Sequence, residues 1–244
     1  MALPQPKQDA TAARLAGLTL PEGGCLFPAR QEALARLQAM GLPTRRDEYW
    51  KFTRHETLTQ PEVVPAALFE NDEEPVFHGI DRLKIVFVDG VFDPDASDDL
   101  TLEGVQIDRI ADICGKDIHW AKDLFGVLEA RGQTPVQRPL AALNTAFAAD
   151  GVAIHVTGKP SKPISLIYRH ESETSDALLH HVIRVESGAE ATILENGPAA
   201  ARFNKVIETD VADGGALHHV RSQGRDHERR AATHMFTRLG TRSV

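Results

Sequence analysis

Residues 180–195 read HHVIRVESGAEATILE, and how this stretch folds decides the architecture of the chain. Its two runs, HHVIRVE and ATILE, alternate or nearly alternate in polarity, as strands with one buried face require. Ser187-Gly188 between them has turn chemistry. The rhythm continues on both sides through VAIHV, ISLIY, KVIETDV, ALHHVRS and THMFTRLG, at a spacing of roughly ten to sixteen residues. Asn196-Gly197 and Asp213-Gly214-Gly215 add further turns. No long helical pattern interrupts the series, so residues 148–244 are expected to form a stacked or sandwiched β-core and not a doubly wound sheet. The runs share no strict period, and pattern alone leaves a β-helix and a sandwich both open.

Residues 1–147 have a mixed character. Leu15 and Leu18, then Leu34, Leu37 and Met40, mark helices within residues 9–40. Gly41 and Pro43 stop the second. LKIVFVDG, residues 83–90, is the first clear strand, with Asp89-Gly90 suited to a tight turn and a second strand resuming at Val91. Residues 117–131 place Trp120, Leu124, Val127 and Leu128 on one helical face, and a short helix is predicted over residues 139–147. Between them, the prolines and acidic run of QPEVVPAALFENDEEPVFHG predict an irregular crossing.

The 244 residues are 42% hydrophobic, enough for a folded core. A formal charge of -8 and a pI near 5.8 argue against a general phosphate-binding surface. Cys25 and Cys114, the two cysteines, form no C-x-x-C and no disulfide framework. The N-terminus MALPQPKQDA lacks a basic and apolar leader, and no apolar run approaches a membrane span. A cytoplasmic location is expected.

The eleven histidines include the pairs His180-His181 and His218-His219. Neighbours on a strand point to opposite faces, so neither pair chelates one metal through both rings. A cupin-like metal-dependent enzyme using strand histidines, with Glu195 as a rough echo of its carboxylate, is the alternative reading. The simpler expectation places these histidines on a solvated or partner-facing surface. No G-x-S-x-G, P-loop or H-E-x-x-H occurs. The carboxylate runs Asp72-Glu73-Glu74 and Asp98-Asp99 read as solvated loop charges, and Cys114 as a buried small hydrophobe. No catalytic, cofactor-binding or metal-ligating residue is assigned.

The segment GLPTRRDEYWKFTR, residues 41–54, gathers Arg45, Arg46, Lys51 and Arg54 around Tyr49, Trp50 and Phe52. With a short helical turn from Asp47, Glu48 and Lys51 stand three apart and can pair. Trp50 and Phe52 are then expected to anchor the segment on the β-body. A nucleic-acid groove needs a longer basic track, which the acidic balance does not supply.

GLPTRRDEYWKFT resembles the G-L-P-T-R-x-x-E-x-W-K-[YF]-T signature of the SufB/SufD family of iron–sulfur cluster assembly proteins, on its SufD side. The match takes in Arg45, Glu48, Trp50, Lys51 and Thr53. IVFVDGVF (85–92), KPSKPISLIY (159–168) and HHVIRVESGAEATILE (180–195) are similar to later family stretches, in the family's order. The resemblance implies a mainly β chain: an N-terminal helical and mixed region, residues 1–147, before a right-handed parallel β-helix core, residues 148–244. It implies a scaffold and not an enzyme, with the five matched residues as a structural signature. It further implies pairing with a SufB-like protein, recruitment of the ATPase SufC, no cofactor bound by this chain alone, and a cluster assembled in the complex. A homodimer stays open; nucleic-acid and membrane partners are not expected. Family members continue past FTRLGTRSV into further rungs and a helical SufC-docking region, so the resemblance implies a C-terminally shortened chain. On the same resemblance, the family's cluster-assembly residues are expected in that later part.

Overall fold

The computed structural model of the chain describes residues 3–68, 76–197, 199–223 and 230–244. It opens with α1 (Gln5–Leu15) and α2 (Phe27–Met40), each with proline in its first turn, where the missing N–H costs no helical bond. Gly41 ends α2 at φ +63°. A 3-10 turn, Glu48–Trp50, and α3 (Glu56–Thr59) follow. The expected acidic loop Asp72-Glu73-Glu74 lies outside the described residues.

β1 (Leu83–Val88) and β2 (Val91–Phe92) form the predicted hairpin, Asp89 and Gly90 both taking positive φ in its turn. β3 (Val105–Arg109) and α4 (Ile110–Ile113) come next. The single helix expected over residues 117–131 is broken: a 3-10 turn, Trp120–Asp123, precedes α5 (Val127–Arg131), with Gly126 at φ +76° between them. The break has a tertiary cause. Gly126 and Glu129 donate their backbone N–H groups to the buried Glu208 carboxylate, far off in sequence. α6 (Pro139–Phe147) matches its predicted bounds and is buried at every residue.

The remaining strands are β4 (Val152–Val156), β5 (Ile164–Arg169), β6 (Asp176–Val185), β7 (Glu190–Glu195), β8 (Arg202–Val211), β9 (Ala216–Arg221) and β10 (Arg230–Leu239). One sheet has the order β2-β1-β5-β7-β9 and the other β10-β8-β6-β4-β3. From β4 onward successive strands alternate between the sheets, and all pairings are parallel except β1 with β2 and β3 with β4. The chain is thus mixed α/β, with two mostly parallel sheets.

Their facing sides share one apolar core. Ile85, Phe87, Leu166 and Ile193 of the first sheet meet Ile154, Ile183, Phe203 and Ile207 of the second. Each such burial contributes about 1.5–3 kcal/mol. The second sheet is also covered behind. Leu178 of β6 and Ala232 of β10 pack with Leu37 of α2 and Leu143 of α6, while Ala153 and Val182 meet Leu124 and Phe125. Asn144 of α6 ties this layer down by donating to the carbonyls of Leu179 and Asn204.

Candidate functional site

Positions that strand alternation sends into the shared core are mostly aliphatic, and the exceptions converge. Tyr168 follows Leu166 on the inward side of β5, His181 lies between Leu179 and Ile183, and Glu195 follows Ile193. Lys205 lies between Phe203 and Ile207, and His219 and Arg221 follow Leu217 on β9. His181, Glu195 and Lys205 are fully buried.

Their hydrogen bonds form a chain. The Val152 N–H donates to His181 Nδ1 at 3.1 Å, which leaves the imidazole proton on Nε2, facing Tyr168 Oη at 3.1 Å. Lys205 Nζ lies 3.5 Å from the same phenol and forms an ion pair with Glu195 Oε1. Glu195 also meets His219 Nε2 at 2.8 Å and Arg221 Nε at 3.4 Å. Arg221 stands opposite Glu195 in the parallel register of β7 and β9.

Burial sets the protonation of the group. It raises Tyr168 above its usual value and pulls Lys205 well below its own, with Arg221 adding to the second effect. Burial, then Lys205, lowers His181, and burial with Lys205 and Arg221 brings His219 down to about 4. The result is one interior carboxylate shared among basic groups, with Tyr168 and a neutral His181 extending the polar line inward.

His180 points to the other face of β6, as strand geometry requires. There Nε2 pairs with Glu208 at 2.9 Å and the ring stacks on Phe125 at 4.1 Å. The expectation of a solvated histidine surface therefore fails at His180, which the helical layer covers on the outer face of the sheet, and at His181, which the facing sheet covers on the inner one. It holds for His218, which is exposed. Glu195, the echo of a cupin carboxylate, is occupied by Lys205, His219 and Arg221. Among the described residues no three His, Cys, Asp or Glu side chains converge to hold a metal ion. Cys114 is half-buried, its sulfur accepting from Arg30 at 3.4 Å.

The signature residues lie elsewhere, on the helical layer. Asp47 opens their turn by accepting from the Thr44 N–H at 2.6 Å and pairing with Lys7 at 3.1 Å. Arg45 reaches Glu56 at 3.0 Å. Trp50 is half-buried against the cluster of α2 and α6, so the indole anchors the segment on helices and not on the β-body. Phe52 corrects the expectation outright: it is 94% exposed, with Lys51 over its ring at 5.3 Å. Glu48, Lys51 and Thr53 are exposed, and Glu48 and Lys51 form no ion pair. Sequence reasoning missed Tyr168, Lys205 and Arg221. The available signal was a lone polar residue in inward register, as in the RFNKVIETDV of β8.

Comparison with known proteins adds a family to this geometry. The family model described as the SufBD protein N-terminal region matches residues 23–164. A curated relative, the iron–sulfur cluster assembly protein SufD of Escherichia coli (strain K12), is 27% identical over 182 residues. That alignment covers 72% of this chain and 40% of the relative.

Proposed function

Because the chain belongs to the SufB/SufD family, we propose that it serves iron–sulfur cluster assembly as a SufD-type scaffold subunit, without catalytic chemistry of its own. Its partners on this reading are a SufB-like subunit and a SufC-like ATPase, working in the cytoplasm, and the cluster is the cargo of the complex. The observation that carries the proposal is the family match over residues 23–164, which runs from the helical layer into strands of both sheets. A right-handed parallel β-helix core is part of the same proposal. Its support is the alternation of β4 to β10 between two parallel sheets around one interior, as successive faces of a coil would require. Arg45, Glu48, Trp50, Lys51 and Thr53 are proposed to have a structural role, for which the Trp50 contact with the helices is the support. Among the described residues no helix is long and apolar enough to cross a membrane.

The test is co-expression of the full-length protein with the SufB-like and SufC-like proteins of its own source, followed by affinity purification and gel filtration. Co-elution of all three, with ATP hydrolysis tracking only the SufC-like component, is expected. Full-length protein that elutes without either partner refutes the scaffold reading.

A further inference from the structure

The basic and aromatic segment at residues 45–54 is only partly explained by the anchoring of Trp50. Arg45, Arg46, Lys51 and Arg54 are all exposed in a chain whose net charge is -8. Arg46 and Arg54 form no ion pair among the described residues. Tyr49 and Phe52 stand 69% and 94% exposed beside them. Two grooves flank the Lys7–Asp47 pair. One, of about 270 Å³, runs between Tyr49, Trp50 and the prolines Pro135 and Pro139. The other, of about 450 Å³, is lined by Leu3, Pro4 and Pro6 together with Arg45 and Arg46.

We propose that this face docks an extended acidic segment of a partner protein, its carboxylates on Arg46 and Arg54 and an apolar side chain in the groove over Leu3, Pro4 and Pro6. The guanidinium fork matches a carboxylate in two parallel hydrogen bonds, and exposed arginine beside aromatic rings is the composition of a recognition surface. Charge complementarity selects the occupant. Cations with no internal counter-charge favour an anionic ligand, while Asp47, Glu48 and Glu56 interrupt the track that a phosphate backbone would follow. Grooves of about 270 and 450 Å³ have room for one or a few side chains. The proposal rests on this surface alone and does not require the assembly role.

The test measures fluorescence anisotropy of a labelled peptide, about ten residues and so about 33 Å when extended, alternating glutamate or aspartate with leucine, proline and phenylalanine. The expected result on the intact chain is saturable binding that weakens as salt rises. Arg46→Glu with Arg54→Glu should weaken it by about tenfold or more, and Phe52→Ala severalfold. Lys159→Glu, an exposed cation elsewhere, should leave it unchanged. Circular dichroism identical to the parent protein shows that the ribbon variants remain folded. Absence of saturation at millimolar peptide overturns the proposal, and so does binding insensitive to the ribbon substitutions. Equal binding of an all-glutamate peptide removes the grooves from it. Tighter binding of an oligothymidine of matched charge transfers the surface to nucleic acid and refutes the peptide reading.

Discussion

Glu195→Gln is the sharpest probe of the interior polar chain. The carboxylate is fully buried and meets Lys205, His219 and Arg221. Removing its charge strips Lys205 and Arg221 of their counter-charge in a low-dielectric core. Breaking a buried pair in this way typically costs about 3–5 kcal/mol. Lys205 can escape only by losing its proton. Burial already pulls Lys205 well below its ordinary value, so this escape keeps the loss toward the lower end of that range. Lys205→Met is not the mirror image. It leaves Glu195 with His219 and Arg221, relieves the desolvation of an ammonium and keeps most of the side-chain volume, so about 1–2 kcal/mol is expected. The double variant still leaves His219 and Arg221 without their carboxylate, so it should lie between the two single variants, giving a coupling no smaller than the Lys205→Met cost of about 1–2 kcal/mol. Urea titrations followed by far-ultraviolet circular dichroism, with equal m-values across the four proteins, measure the cycle. Equal costs for the two single variants, or less than about 1 kcal/mol for Glu195→Gln, would refute the assignment of Glu195 as the shared counter-charge.

Stability should fall as pH drops below about 6.5. His181, buried beside Lys205 with the Val152 N–H and the Tyr168 phenol as its partners, binds a proton less readily in the native state than in the unfolded chain, which therefore gains protons first. His181→Gln should flatten the profile between pH 8 and 5, measured by urea titration at each pH. Trp50→Ala should cost about 1.5–2.5 kcal/mol in thermal or urea unfolding, the half-buried share of a full core truncation, while Phe52→Ala stays within about 0.5 kcal/mol. Gly151→Ala should cost on the order of 3 kcal/mol or more, seen as a lowered Tm or loss of soluble protein. At φ +144° its added Cβ would lie 1.9 Å from the His180 carbonyl oxygen, which is backbone and cannot swing aside. Asn144→Ala should cost about 2–3 kcal/mol by urea titration, because the Leu179 and Asn204 carbonyls lose a buried donor.

The strands were legible in the sequence because their cause is local. Period-two alternation and turn dipeptides place β4 to β9 within a few residues of their observed bounds, and glycine followed by proline places the end of α2. The bounds of α6 were legible for the same reason. The family signature was legible as a pattern, and with it the identity of Arg45, Glu48, Trp50, Lys51 and Thr53. What lies across from each residue is a different matter. Gly126 breaks its helix because Glu208 collects two N–H groups from residues some eighty positions away. His180 and His181 are both buried because one sheet has a second sheet before it and helices behind it. Glu195, Lys205, His219 and Arg221 become one site only when β7, β8 and β9 are brought around a common interior. Phe52 and Trp50, two residues apart in one aromatic segment, part company for the same reason: a helical surface covers the indole and leaves the phenyl ring to solvent. Backbone preference acts between neighbours in the chain and can be read there, whereas burial and charge pairing depend on which distant segment fills the adjoining space, and that is decided only when the whole chain has packed.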